Sequence, residues 1–216
     1  MKNNLVELVF VLDRSGSMRG LEEQTISSYN DMIEKQKKEE GEALVTTVLF
    51  DDQFEQFAYR TPLSETKPLT YKEYYPRGWT ALYDAIGSTI DRISFEQENP
   101  EKSVKPNKTI FAIITDGLEN ASSKFDSKMI RSMIANRQKE HAWEFLFLGA
   151  NFDVYEFTDH IGIPKERAVR YATSKAGTKV NFDTLVNFCI DIRSGKEFSK
   201  EWKKDIEEMY KKEEEK

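Results

Sequence analysis

Leu8-Val9-Phe10-Val11-Leu12-Asp13-Arg14-Ser15-Gly16-Ser17-Met18 is the stretch that decides the fold of this 216-residue chain. Large apolar residues run without a break into an aspartate and a short loop of serines and glycine. A strand covered on both faces reads this way, whereas a half-exposed strand alternates. Counting from Leu5, three further runs share the character: Ala43 to Phe50, Thr109 to Thr115 and Trp143 to Gly149. Phe54 to Tyr59 alternates instead and follows the turn-like Asp51-Asp52-Gln53, which predicts an antiparallel edge strand.

Amphipathic segments at helical spacing separate the runs. Leu21, Thr25, Tyr29, Met32 and Gln36 mark the first, and Leu82, Ala85, Ile86, Thr89, Ile90 and Ile93 the clearest. Ile130, Met133, Ile134 and Arg137 mark a third, and Val180, Leu185, Phe188 and Ile192 a later one. Val154, Phe157 and Ile161 predict a short helix before a brief strand at Ala168 to Tyr171. Such alternation predicts an α/β domain: a Rossmann-like, doubly wound, mostly parallel sheet with one antiparallel edge strand and helices on both faces. Residues 1–195 form that domain. Residues 196–216 form a C-terminal helix with a charged tail, carrying Trp202, Ile206, Met209 and Tyr210 on one face and expected to pack on the same domain. The one long irregular stretch, Arg60 to Trp79, contains Thr70-x-x-Glu73, a capping-box pattern able to open one helical turn.

Composition narrows the function. A net charge of −6 argues against general nucleic-acid binding, which needs a basic face. Cys189 is the single cysteine, so no intrachain disulfide forms, and with only His141 and His160 beside it a structural zinc site lacks ligands. The apolar run near the N-terminus is short and lacks a small-residue cleavage site, and no run reaches the length of a membrane span. The expectation is a cytoplasmic protein with neither membrane nor nucleic acid as partner.

In doubly wound sheets ligands sit beyond the carboxyl ends of the strands, where strand order reverses. The loops there are Asp13-Arg14-Ser15-Gly16-Ser17, Gly78-Trp79-Thr80-Ala81-Leu82 and Thr115-Asp116-Gly117. They bring two carboxylates and three hydroxyls to one edge. Mg²⁺ is a hard ion that takes oxygen ligands and keeps several waters. Ser15 and Ser17 can face one point as the chain leaves its strand, with Thr80 as a third hydroxyl. Asp13 and Asp116 supply negative charge, directly or through water.

Asp13-x-Ser15-x-Ser17, Thr80 in G-W-T-A-L-Y-D-A-I and Asp116 in T-D-G resemble the metal-ion-dependent adhesion site of von Willebrand factor type A domains. The resemblance runs from about Leu5 to Tyr171. Asn120 of T-D-G-x-x-N and Gly149-Ala150-Asn151 resemble the bacterial intracellular members. It implies one cation, Mg²⁺ or else Mn²⁺ or Ca²⁺, with the serines and the threonine on the metal and the aspartates mostly behind waters. It also implies a protein partner that offers an Asp or Glu to the metal, and binding without catalysis.

Arg14, Arg19 and Arg77 fall on loops beside this site and have two readings, carboxylate-pairing forks of a partner-binding rim or solvated loop residues. Trp79 is either an exposed contact of that rim or a packed loop anchor, and the packed state is the expectation. Asn151 and Asp153 lie within possible reach of the same face. Two rival functions stay open. One is a scaffold that docks through its C-terminal helix and uses the metal for stability. The other is a phosphatase-like hydrolase, although Ser15 stands where its general acid would be, and the order of elements keeps both histidines from the edge.

Overall fold

Residues 5–99, 104–197 and 199–215 are described by a computed structural model. Met1–Asn4 and Lys216, the lead-in to the first strand and the end of the charged tail, lie outside the described residues. Six strands alternate with helices: β1 Val6–Asp13, α1 Glu22–Lys37, β2 Ala43–Phe50, β3 Phe54–Pro62, α2 Leu82–Gln97 and β4 Lys108–Thr115. Then follow α3 Ser127–His141, β5 Trp143–Gly149, α4 Val154–His160, β6 Ala168–Arg170, α5 Lys175–Arg193 and α6 Lys204–Glu214.

The strands stand in the order β3-β2-β1-β4-β5-β6. All neighbours are parallel except β2 and β3. The α/β class, the antiparallel edge and every helix marked by apolar spacing are therefore as expected. Winding reverses between β1 and β4, so the loops that follow Asp13 and Thr115 flank the switch point.

Side-chain alternation along β1 explains its unbroken apolar run. Val6, Leu8, Phe10 and Leu12 enter a layer with Tyr29 and Met32 of α1 and Leu185 and Phe188 of α5. Val9 and Val11 enter the opposite layer with Leu82, Ile86 and Ile90 of α2, Ile130 and Ile134 of α3 and Phe157 of α4. Both faces are buried, so no position of the strand interior tolerates a solvated side chain. Ile206 of α6 joins the first layer, and Trp202 sets its ring edge-on to Phe188 at 5.7 Å. The Trp202 indole also donates to the Glu166 carbonyl at 2.8 Å. The C-terminal helix thus spends its apolar face on its own domain. Among the described residues no helix is long and apolar enough to cross a membrane.

The two sheet edges differ from the interior. β3 kinks at Arg60, whose φ is 44° and whose N–H turns to the Thr46 hydroxyl at 3.0 Å, and its pairing with β2 slips on either side of Thr47. β6, at the other edge, is only three residues long.

Ile86, fully buried between α2 and the sheet, tests this packing. Ile86→Ala is expected to cost about 2–5 kcal/mol through lost contacts and the cavity left behind. Phe95→Ala, at an exposed position of the same helix, should stay within about 0.5 kcal/mol. Urea midpoints for the two variants provide the check.

Candidate metal centre

β1 ends in Asp13 and β4 in Thr115, which lie side by side because Leu12 pairs with Ile114 in the register. The Thr115 hydroxyl donates to Asp13 Oδ2 at 2.5 Å, and the Ser15 N–H folds back on Asp13 Oδ1 at 2.6 Å. That fold-back turns the chain out of the strand into a short 3₁₀ turn, Gly16–Met18. Met18 is buried in the core and anchors the turn, which leaves Ser17 outward. Ser17 donates to Asp116 Oδ1 at 2.5 Å and lies 3.0 Å from the Ser15 hydroxyl.

Thr80 comes from the long loop before α2. Asn120 accepts the Thr80 N–H at 2.9 Å and gives its own N–H to the Thr80 carbonyl at 3.0 Å. Gly117 marks where the side chains meet. A Cβ on it would lie 3.1 Å from Thr80 Oγ1, 3.3 Å from Ser17 Oγ and 3.9 Å from Asp13 Oδ2. The structure thus brings Asp13, Ser15, Ser17, Thr80 and Asp116 together around one point. Four of the five are buried, and the cluster opens to solvent at Ser17.

The electrostatics of this cluster suit a cation. Burial pushes the Asp13 carboxyl up to about 7 against the lowering effect of its hydrogen bonds, and Asp116 nearby raises it further. Burial raises Asp116 as well, against its bond from Ser17. Among the described residues neither carboxylate has an ion-pair partner. Buried negative charge without a counter-charge is costly, so oxygen donors arranged around it fit a hard divalent ion. Among the described residues no cluster of three or more His, Cys, Asp or Glu side chains could hold a metal. A site here therefore depends on its hydroxyls.

The rim expected from the loop arginines needs correction. Arg14 is fully buried: its Nε meets Asp51 Oδ2 at 3.0 Å, its Nη2 meets Glu55 at 2.8 Å and its Nη1 donates to the Glu73 carbonyl at 2.8 Å. With no exposed surface and these partners, it is a strut and not part of a partner-binding surface. Arg77 Nε also meets Asp51 Oδ2, at 2.7 Å, and Tyr75 lies under both guanidinium groups. Only Arg19 is exposed and, among the described residues, without an ion pair. Trp79, expected to pack, is 67% exposed.

Several residues that shape the site carry no motif of their own. Tyr74, buried, donates to the Asp13 carbonyl at 2.7 Å, and Asp51 accepts the Ala81 N–H on its carbonyl at 2.9 Å. Gly78 is the residue its turn requires, with φ 64° and a Cβ position 1.9 Å from Asp52 Oδ1. The Thr70-x-x-Glu73 box closes as expected, Glu73 reaching back to the Thr70 N–H at 3.1 Å. Asn151 donates to the Asp116 carbonyl at 3.2 Å, whereas Asp153 instead caps α4. His141 lies 3.8 Å from Glu98 at the far end of α2, on the opposite edge of the sheet, and His160 ends α4.

Two substitutions separate these roles. Asp13 ionises at an ordinary 3.8 in an unfolded chain and at about 7 in the fold. Its contribution to stability is complete below 3.8 and is lost as pH rises to about 7. In EDTA, Asp13→Asn should therefore be more stable than the parent at pH 8, with an advantage that shrinks toward pH 5 in chemical denaturation. Arg14→Ala strips the buried Asp51 carboxylate of one of its two counter-charges and is expected to cost about 3–5 kcal/mol. Arg19→Ala, measured in the same way, should stay within about 0.5 kcal/mol.

No family model matches the chain, and comparison with curated proteins finds no match. Solved structures do share its architecture. Proximal thread matrix protein 1 of the mussel byssus matches with a TM-score of 0.59 and 15% identity, over 86% of this chain and 46% of its own. Another structure of that protein, described as having a zinc-occupied MIDAS motif, gives 0.55 and 14%, over 86% of this chain and 46% of its own. The ArnB paralog VWA2 from Sulfolobus acidocaldarius gives 0.54 and 16%, over 85% and 44%. The von Willebrand factor type A protein from Catenulispora acidiphila gives 0.51 and 14%, over 84% and 41%. The chain spans less than half the length of each of these proteins. Identity at this level speaks to architecture alone, and on that ground the chain has the von Willebrand factor type A fold.

Proposed function

We propose that this chain is a metal-dependent protein-interaction module rather than an enzyme. The observation that carries the reading is the convergence of Thr80 Oγ1, Ser17 Oγ and Asp13 Oδ2 beside Gly117, over two buried carboxylates that have no ion-pair partner among the described residues. Ser15, Ser17 and Thr80 would hold one divalent cation, with Asp13 and Asp116 supplying charge from behind. Mg²⁺ suits the oxygen donors best, with Mn²⁺ and Ca²⁺ as substitutes. When bound, the ion offers a Lewis-acidic position to an external carboxylate. Because three of the five donors are neutral, much of the positive charge stays available for that carboxylate.

The chain's own groups do the positioning. Asn120 fixes the Thr80 backbone at both its N–H and its carbonyl, and Thr115 holds the Asp13 carboxylate. Such supporting partners commonly govern affinity as strongly as the ligands do. The outward Ser17 marks the side from which a partner's Asp or Glu approaches. The mussel relative with the zinc-occupied motif supports a cation at this place in the fold. Against hydrolysis, Ser15 stands where a phosphatase of this layout needs a general acid, and neither histidine lies at this edge. A cytoplasmic setting accords with the buried free Cys189.

Metal titration by calorimetry tests the first half of this reading. A site of millimolar affinity at 1 mM metal gains only about 0.4 kcal/mol. In a domain of this size that raises the melting temperature by about 1–2 °C. Asp116→Ala should abolish both signals, and equal binding by that variant would remove the site. Pull-downs from native lysate in Mg²⁺ and in EDTA test the second half. The expected outcome is a protein retained only with Mg²⁺ and lost with Asp116→Ala.

A further inference from the structure

We propose that Trp79 and Leu118 select the partner, by holding a bulky apolar residue that adjoins its carboxylate. The inference rests on the carboxylate-binding reading above and adds the class of segment bound. Among the described residues seven large apolar side chains stand exposed, and four of them belong to the two loops that bracket the hydroxyl cluster. Tyr71, Tyr75 and Trp79 lie on the loop that ends in Thr80, and Leu118 follows Gly117. A concentration of this kind at one edge marks an interaction surface.

Trp79 and Leu118 are exposed on backbone that is already fixed. The Gly78 carbonyl accepts from Gly16, the Thr80 N–H is held by Asn120, and Arg77 is locked on Asp51. Leu118 sits between Gly117, which touches the cluster, and Glu119, whose carboxylate accepts the N–H groups of Tyr83, Ala121 and Ser122. Chain order therefore places both side chains within two residues of the cluster, on opposite loops joined through Thr80 and Asn120. Rigid, solvent-facing tryptophan is the usual interface anchor, because little ordering remains to be done on binding.

Charge decides the rest of the partner's character. Arg14 and Arg77 are matched by Asp51 and Glu55, which among the described residues leaves Arg19 as the rim arginine without an ion pair. A net charge of −6 opposes a strongly acidic segment. What fits is a protein segment with a single Asp or Glu flanked by a Leu, Phe or similar side chain.

A random-peptide display library selected on the full chain in millimolar MgCl₂ provides the test, with the wild type, Trp79→Ser, Leu118→Ser and Asp116→Ala as baits. The wild type should recover peptides that pair an acidic residue with an adjacent bulky apolar one, released by EDTA. Trp79→Ser should bind those peptides at least about 30-fold more weakly and recover acidic peptides without the apolar preference. An unchanged melting temperature shows that this variant folds. Acidic peptides with no apolar neighbour on the wild type would overturn the inference and leave the metal reading standing. Apolar peptides indifferent to EDTA and to Asp116→Ala would sink the metal reading. An empty selection, or a Mg²⁺-dependent dimer of the chain that Trp79→Ser dissolves, also counts against a foreign segment as the occupant.

Discussion

Asp51 is a fully buried carboxylate that holds Arg14 of the first loop and Arg77 of the long loop on the same oxygen, at 3.0 and 2.7 Å. Its other oxygen takes the Gln53 N–H, and its carbonyl takes the Ala81 N–H at the entrance to α2. Burying a carboxylate costs several kcal/mol unless cations and donors surround it, and here they do. The loops that deliver Ser15, Ser17 and Thr80 are consequently tied to one another before any ligand arrives. The polar knot is a device for geometry more than for net stability, since a buried ion pair contributes little beyond what apolar packing would.

The same edge of the sheet carries carboxylates of the opposite kind. Asp13 and Asp116 are buried too, yet among the described residues they are answered by hydroxyls and backbone amides and by no cation. One aspartate is neutralised from within the chain, and the other two have no ion-pair partner among the described residues. This contrast carries the functional reading. It also separates Arg14 and Arg77 from Arg19, because the first two guanidinium groups are committed to the internal knot.

How much of this was legible in the sequence follows from what periodicity records. The strands and helices were readable because burial on one or both faces leaves a repeating apolar pattern. The convergence of Asp13, Ser15, Ser17, Thr80 and Asp116 was readable because each leaves a strand end or precedes a helix. The direction of Arg14 was not, since the strand's alternation stops where the Ser15 N–H folds back on Asp13. Trp79 was expected to pack because its surroundings are glycine and threonine, and a local reading cannot show that its neighbours are pinned from afar. Thr115, Tyr74 and Asn120 act across separations of 102, 61 and 40 residues, the first through the sheet register and the other two through loops, and although Asn120 stood out in T-D-G-x-x-N its hold on Thr80 did not. Of these three contacts, that of Thr115 could have been found, by pairing the ends of β1 and β4.

The kink at Arg60 and the brevity of β6 bear on how the molecule behaves in a crowd. A sheet grows by adding strands wherever a long, straight row of amide groups is left open. Here one margin is bent, with the Arg60 N–H already spent on Thr46 and Pro62 closing the strand. The opposite margin offers three residues, with α6 packed beside them. Bent or short, both margins are poor templates for edge-to-edge growth. Self-association through extended sheets is thereby disfavoured even at high concentration.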